Sequence, residues 1–185
     1  NQSGVVRRDI TTSFAGMSGT AAGVPLTIEF EVLDANDGCS PIRGAAIYAW
    51  HCDREGNYSL YSQGVTDQNY LRGLQIADGQ GVVAFTSIFP GCYQGRWPHV
   101  HFEVYASEKD ATSGAQPTAT SQIALPKAIC ETVYATGGYE TSVANLGGLS
   151  LQSDNVFGDD GAVHQLARIS GGVAGDLTAR LTIPV

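Results

Sequence analysis

Apolar and polar residues alternate along several short stretches of the chain, with the period of two that is typical of half-buried β-strands. Between residues 26 and 32, for example, every second side chain is a large apolar one. The same reasoning predicts further strands at residues 45–51, 70–77, 82–87, 99–105, 120–125, 163–169 and 177–183. Many short strands separated by turns are typical of an all-β protein.

The segments between these strands are rich in turn-forming residues, with 23 glycines and 7 prolines in the chain. Residues 78–81 (Asp-Gly-Gln-Gly) predict a tight hairpin turn between two strands. Residues 107–118 are predicted to be a polar surface loop, and residues 137–148 to have little regular structure. Pro126 is predicted to begin a short helix, because proline is favoured in the first turn.

These elements together predict a β-sandwich of mixed strands with one or two short helices and long loops. At 185 residues the chain has the length of one domain, residues 1–185, in which residues 1–23 form an arm lying across the surface. The residues Asn1 to Gly4 are interpreted as a mature or trimmed terminus, so the lack of a leader says little about export.

Composition narrows the functional classes. Hydrophobic residues make up 43% and charged residues 15% of the chain, which is typical of a globular protein. The net charge of -8, without a basic patch, argues against nucleic-acid binding. No apolar run approaches the roughly 20 residues of a membrane span, so no membrane association is expected.

The chain has four cysteines, an even number, and none lies in a CxxC zinc pattern. With the low charge, this favours a secreted, extracellular protein with up to two disulfides. Of the three possible connectivities, we favour Cys39 with Cys130 and Cys52 with Cys92. The alternative is four buried thiols in a cytosolic protein.

The predicted strand at residues 99–105 carries the most informative chemistry. Residues two apart on a strand point to the same face, so His99 and His101 are predicted to point together into one space. Two converging imidazoles are half of a metal site. Tyr93 lies just upstream and could add a phenolate, which suits a ferric ion. The alternative is that both histidines belong to a solvated polar face.

Three stretches carry a resemblance to a known family: Trp50-His51-Cys52-Asp53-Arg54-Glu55-Gly56-Asn57-Tyr58, then Leu71-Arg72-Gly73-Leu74-Gln75, then Pro90 through Phe102. In this order they resemble the intradiol ring-cleavage dioxygenases, and above all the short, secreted bacterial members. The resemblance extends over roughly residues 24–145. It implies a β-sandwich that holds one non-haem ferric ion, Fe(III), per chain.

The resemblance also implies roles for individual residues. Four side chains match the family's iron ligands: Tyr58, Tyr93, His99 and His101. Arg96 matches an arginine that stabilises negative charge on the bound diol, and Tyr93 would also accept a proton from that diol. Gln122 matches, less closely, a glutamine that follows the second histidine.

The implied reaction cleaves the ring of a catechol-type diol between its two hydroxyls with O2 and gives a cis,cis-muconate-type diacid. The expected partners are therefore a small aromatic diol and O2. Catechol, hydroxyquinol and protocatechuate all remain open as substrates, and so does the oligomeric state.

Two other functional classes remain open from the residues alone. One is a secreted β-sandwich that binds carbohydrate or a protein partner without catalysis, which would not need two tyrosines and two histidines. The other is a zinc or copper hydrolase or oxidase built on His99 and His101, which lacks a third histidine at useful spacing.

Individual assignments have alternatives as well. Tyr61 is a rival to Tyr58 as the first tyrosine ligand, since the two are three residues apart. Arg96 could pair with an acidic neighbour such as Glu103. His51 is expected to be a hydrogen-bonded structural residue and not a ligand.

Overall fold

The computed structural model describes residues 3–185, so residues 1 and 2 of the predicted arm and terminus lie outside the described part. The strands are β1 (Pro25–Asp34), β2 (Ser40–Pro41), β3 (Ala46–Trp50), β4 (Arg72–Ile76), β5 (Val82–Ile88), β6 (His99–Tyr105), β7 (Ala119–Ala124), β8 (Arg168–Ser170) and β9 (Thr178–Pro184). The helices are α1 (Glu108–Ser113), α2 (Lys127–Tyr134) and α3 (Glu140–Leu146). None of the helices within residues 3–185 has the length and apolar character needed to cross a membrane.

The strands form two sheets. One has the order β2-β1-β9-β8, with β5 also paired to β1, and the other has the order β4-β3-β6-β7. Strands β1 and β9 run parallel, whereas the other pairs are antiparallel. The predicted all-β sandwich with few short helices is confirmed.

The core lies between the two sheets. Phe30 on β1 is fully buried and packs against Phe102 on β6, with 5.0 Å between the ring centroids. Val100 and Val104 on β6 are buried beside Phe102. Side chains alternate along a strand, and these three residues face the core. The odd-numbered side chains of β6, including both histidines, therefore lie on the outer face of the sheet.

The turn at residues 78–81 is tight, as predicted, but the prediction that it joins two paired strands of a hairpin is wrong. Asp78 N–H donates to the Val82 carbonyl over 3.0 Å, and Asp78 Oδ1 accepts from two further amides. The strands on either side then diverge: β4 pairs with β3, whereas β5 pairs with β1 in the other sheet. Val32 N–H donates to the Gly81 carbonyl, which directs the chain towards β1.

Three segments differ from the sequence-based expectation. The predicted loop at residues 107–118 contains α1, whose N-terminus is capped by the Ser107 side chain. The region 137–148 contains α3. The strand predicted at 163–169 is reduced to β8, because the residues before it form turns that leave Val163 largely exposed.

The arm contacts both sheets. Val6 pairs with Leu74 at the β4 edge of one sheet, and Asp9 pairs with Thr86 on β5 of the other. Ile10 from the arm is fully buried in the core between them. The arm thereby covers two strand edges that would otherwise be free to pair.

The predicted disulfides are absent from the structure, in which all four cysteines are free. Cys39 lies exposed in the turn before β2, whereas Cys130 is buried in α2. Cys52 and Cys92 are also buried, and each thiol donates to a backbone carbonyl, of Gly91 and Ser142 respectively. The extracellular location stays a prediction without support from disulfides.

Candidate metal centre

Four side chains from three segments converge on the outer face of the β4-β3-β6-β7 sheet. Tyr58 Oη lies 3.2 Å from His99 Nε2 and 3.1 Å from His101 Nε2. The two histidine Nε2 atoms are 3.0 Å apart. Tyr93 Oη completes the cluster at 3.5 Å from Tyr58 Oη. The structure thus brings together all four residues that the resemblance implies as ligands.

The two tyrosines come from loops that are tied to each other. Asp53 Oδ1 accepts from two amides in the turn before Tyr58, and the Asp53 carbonyl accepts from Gly91 N–H over 2.9 Å. Ser142 Oγ donates to the Arg54 carbonyl over 2.9 Å and accepts from Cys92 N–H, next to Tyr93, over 3.0 Å. These bonds fix one tyrosine-bearing loop against the other.

Close packing at Gly91 explains why glycine stands there. A Cβ at this position would lie 2.5 Å from Ser142 Oγ and closer still to the Arg54 carbonyl oxygen. Any side chain would therefore push the two loops apart and move Tyr93 relative to Tyr58.

His99 presents an unprotonated nitrogen to the cluster. His99 Nδ1 donates to the Trp97 carbonyl over 2.5 Å, which leaves the Nε2 lone pair facing Tyr58 and His101. Burial lowers the pKa of His99 to about 3 and that of His101 to about 4, so both imidazoles are neutral at pH 7. His101 is further held by Trp50, whose ring stacks on it at 4.7 Å.

The donor set fits a metal ion. Metal bonds to nitrogen and oxygen are about 2.0–2.2 Å long, which places neighbouring donor atoms about 3 Å apart, as found among these four. Two imidazoles and two phenol oxygens suit a first-row transition metal, and the hard anionic phenolate suits a ferric ion. Within residues 3–185 there is no cluster of three or more His, Cys, Asp or Glu side chains that could hold a metal instead.

Although Arg96 lies nearby, Tyr58 is neutral when no metal ion is bound. Burial is the main cause that raises its pKa, and the neighbouring Cys52 and Tyr93 add to the effect. A bound cation reverses this by favouring the anionic oxygen, so uptake of a metal would release the phenolic proton.

Arg96 lies beside the cluster in a fixed orientation. Its Nε donates to Asp154 Oδ2 over 3.0 Å, and its Nη2 donates to Gln122 Oε1. Gln122 pairs in register with His101 across β6 and β7, which explains why the two lie on the same face. The guanidinium is thus held on both sides. The acidic partner of Arg96 is Asp154, and the alternative pairing with Glu103 is wrong.

Asp154 was not identified from the sequence. It lies in an irregular segment rich in turns, with no periodicity or motif to mark it. Its side chain is fully buried and accepts four hydrogen bonds, from Arg96 Nε and from the backbone amides of Trp97, Val156 and Phe157. Burial favours a higher pKa, but these donors outweigh it and lower the pKa of Asp154.

The positions of Tyr61, His51 and Glu103 bear on the remaining alternatives from the sequence. Tyr61 is 73% exposed and lies outside the four-donor cluster. His51 is buried and hydrogen-bonded to Ser87 Oγ and to the Cys52 carbonyl, as expected of a structural histidine. Glu103 accepts from the Tyr105 hydroxyl.

A cavity of about 510 Å³ opens onto the cluster. Three of the four donor residues line it, together with aromatic and charged neighbours: Tyr48, Trp50, Tyr58, Tyr61, Ser62, Arg72, Tyr93, His101 and Glu103. Its volume is within the range of small-molecule sites, roughly 300–1,000 Å³. A planar aromatic molecule can therefore reach the donor atoms from solvent.

Curated relatives match a short part of the chain. A chlorocatechol 1,2-dioxygenase from Rhodococcus opacus is 42% identical over 55 residues, which are 30% of this chain and 21% of the relative. A catechol 1,2-dioxygenase from Pseudomonas sp. (strain EST1001) is 40% identical over 53 residues, 29% of this chain and 17% of the relative. The matched part thus spans about a fifth of the length of these relatives.

Solved structures share the fold over nearly the whole chain. An intradiol ring-cleavage dioxygenase from Tetranychus urticae has a TM-score of 0.81 at 22% identity, covering 97% of this chain and 86% of that one. The dioxygenase domain of a dioxygenase–carbohydrate-binding fusion from Streptomyces sp. SirexAA-E has a TM-score of 0.62 at 19% identity, covering 97% and 87%.

The family model described as "Dioxygenase" matches residues 3–116. This match includes the arm, both tyrosine-bearing loops and the strand that carries the two histidines. It covers more than half of the chain, and its residues are those that build the four-donor cluster. The chain therefore belongs to this family, the intradiol ring-cleavage dioxygenases.

Proposed function

We propose that the protein is an Fe(III)-dependent dioxygenase that cleaves the ring of aromatic 1,2-diols between the two hydroxyl-bearing carbons. Both atoms of O2 enter the product, a cis,cis-muconate-type diacid. One observation carries the proposal: two phenol oxygens and two neutral imidazole nitrogens converge beside a cavity, each 3.0–3.5 Å from at least one of the others.

Tyr58, Tyr93, His99 and His101 would hold one ferric ion per chain. When bound, a ferric ion supplies a Lewis acid that takes the diol as its dianion and makes it reactive towards O2. The two phenolates favour the ferric state by their negative charge. The histidines stay neutral because they are buried, and Trp97 and Trp50 hold their rings in orientation.

Arg96, its two hydrogen-bond partners and Tyr93 would have different roles in the reaction. Arg96 supplies a fixed positive charge to stabilise negative charge that develops on the diol ring. Asp154 and Gln122 hold its guanidinium in place, so no reorientation is needed during the reaction. Tyr93 lines the cavity and, as a phenolate, would accept one of the two diol protons, and the other would pass to solvent through the cavity.

The cavity limits how a diol can approach. Its aromatic walls include Tyr48 and Trp50, whose rings can contact a planar substrate. Since His99 is buried beneath the other donors, the two substrate hydroxyls reach the cluster from the side lined by Tyr58, Tyr93 and His101.

Metal analysis and visible spectroscopy of the purified protein test the proposal, followed by assay with catechol. We expect about one iron per chain, a red-brown colour from phenolate-to-iron charge transfer, and O2 uptake with formation of the diacid. The matched control is a His99→Ala/His101→Ala double variant, which should lose iron and colour. A colourless protein that holds zinc or no metal after reconstitution with iron would contradict the proposal and favour a binding module.

A further inference from the structure

A second cavity adjoins the one that opens onto the four donors. It has a volume of about 340 Å³, and four residues line both cavities: Tyr48, Tyr61, Arg72 and Glu103. We refer to the two as the inner chamber and the outer chamber. Together they extend the cavity well beyond the space that one catechol ring occupies, since the inner chamber alone has the volume of a site for a drug-sized ligand.

The outer chamber has mixed walls, to which Arg72 and Glu103 contribute charge and the other residues contribute apolar or aromatic groups. The residues found only in its lining are Val5, Phe14, Leu60, Leu74, Tyr105 and Ala111. They come from the arm, from the loop after Tyr58, from β4 and β6, and from α1. The aromatic and aliphatic side chains among them can pack against a planar aromatic group.

The walls of the outer chamber are fixed in advance. Phe14 N–H donates to Asn69 Oδ1 over 2.7 Å, and Asn69 Nδ2 donates back to the Phe14 carbonyl over 3.0 Å. The Arg7 guanidinium lies 4.3 Å from the Phe14 ring centroid and donates to the Arg72 carbonyl over 2.7 Å. A wall held in this way needs little ordering when a ligand binds, which favours affinity.

The chemistry of a diol determines which part of it reaches the outer chamber. When both hydroxyls face the four-donor cluster, the ring carbons opposite them, positions 4 and 5, point away from it. A substituent on one of these carbons leaves the inner chamber past the four shared residues. Tyr48 and Tyr61, two of these, present aromatic surface along that path.

We propose that the outer chamber is a substrate subsite for an aromatic substituent at position 4 of the diol. The preferred substrates are then 4-aryl catechols and not catechol itself. This inference rests on the proposed function, because it assumes that a diol binds at the four donors.

Anaerobic calorimetric titration of the iron-loaded protein tests the subsite, because it measures binding without turnover. We expect 4-phenylcatechol to bind at least about tenfold more tightly than catechol, the effect of burying one phenyl ring. Ala111→Trp fills the outer chamber from α1, and we expect it to remove this advantage while the Kd for catechol stays within about twofold. The matched control is Ala115→Trp, which places the same ring on an exposed residue just after α1.

Phe14→Ala provides a second variant, because it removes a wall without adding bulk, and it too should lower the preference for 4-phenylcatechol. Equal Kd values for the two diols in the parent protein would overturn the subsite. So would an equal weakening of both diols in Ala111→Trp. Aerobic assay with catechol distinguishes failure of the subsite from failure of the proposed function. If the protein cleaves catechol but shows no preference for an aryl diol, only the subsite is overturned. If it cleaves no diol, the proposed function is overturned as well.

Discussion

Arg96 and Asp154 form a buried ion pair beside the four-donor cluster, although they are 58 residues apart in the chain. The Asp154 side chain is fully inaccessible, and that of Arg96 is 16% exposed. The same carboxylate oxygen accepts from Trp97 N–H over 2.7 Å, so one group fixes both the arginine and the backbone that leads into β6. The orientation of Arg96 is thus set by a residue from a distant loop.

Arg96→Ala separates a chemical from a structural role of the arginine. If Arg96 stabilises charge on the diol, the variant should keep its iron and still bind diol, seen as a new visible band. Its reaction with O2 should then slow by roughly 100-fold, the scale for loss of one electrostatic stabiliser. Anaerobic loading with catechol followed by mixing with oxygenated buffer measures this step alone.

Arg96→Lys is the matched control for this experiment. Lysine keeps the charge but lacks the planar fork that donates to Asp154 and Gln122 together, so we expect a poor rescue. Reaction of diol-loaded Arg96→Ala with O2 at the parent rate would remove Arg96 from the mechanism.

Asp154→Asn should destabilise the protein in a pH-dependent way. The folded-state pKa of Asp154 lies below its usual value of about 3.9, so the ionised carboxylate stabilises the fold above about pH 5. That contribution is lost as pH falls through the folded-state pKa. We expect a loss of about 3 kcal/mol at pH 7, because Arg96 keeps an uncompensated charge, and a smaller loss near pH 3.

Urea denaturation of parent and variant at both pH values measures this difference. Asp159→Asn is the control, since Asp159 is exposed in the same segment. A loss in Asp154→Asn that is the same at pH 7 and pH 3 would show that the carboxylate charge is not the cause.

Tyr58→Phe and Tyr93→Phe each remove one phenol oxygen while preserving the ring. We expect the visible band to shift and turnover to fall severely in both, because phenolates give rise to the band and hold the ferric state. Tyr61→Phe should keep the iron content and the band of the parent. Absorption spectra and metal analysis of the three variants measure these effects. A shifted band in Tyr61→Phe but not in Tyr58→Phe would show that Tyr61, and not Tyr58, is the ligand.

Gly91→Ala should weaken both the fold and metal retention. Its Cβ would overlap with Ser142 Oγ and the Arg54 carbonyl oxygen, which hold the two tyrosine-bearing loops together. We expect a loss of about 2–3 kcal/mol in the free energy of unfolding and a lower iron content. Gly79→Ala is the control, since a Cβ there meets no atom within 4 Å. Equal stability of the two variants would contradict the proposed packing.

Thiol titration with a disulfide reagent tests the state of the cysteines. In the native protein we expect only Cys39 to react rapidly, because it alone is exposed. Burial raises the pKa of Cys92 to about 11 and that of Cys52 further still, so their thiolates are scarce. Four thiols should react after unfolding without reductant. Detection of fewer than four would restore the disulfides predicted from the sequence.

Much of the fold followed from local patterns. The alternation along β1 and β6 predicts which side chains enter the core, and for His99 and His101 it predicts a shared face. The hairpin predicted at residues 78–81 was wrong, because turn residues determine that the chain turns tightly but not which strand it pairs with after the turn. Helix α1 was missed because none of its residues is buried, so its sequence has no apolar periodicity.

The site was predictable only in part. His99 and His101 lie on one strand, and their spacing carries the signal. The tyrosines were assigned through the family resemblance, since no local pattern links Tyr58 to Tyr93. Asp154 was missed because its link to the site, through Arg96 and Trp97, is made only by tertiary packing across 57–58 residues.

The arm has a consequence for how such a protein can diverge. It pairs with an edge strand of each sheet and buries Ile10 between the sheets, and it contributes Phe14 and Val5 to the outer chamber but none of the four donors. Two residues of the outer chamber thus lie on a segment that carries none of the donors, whereas Leu60 and Tyr105 line it from donor-bearing segments. A change in the arm can therefore alter the outer chamber without replacing any of the four donor residues.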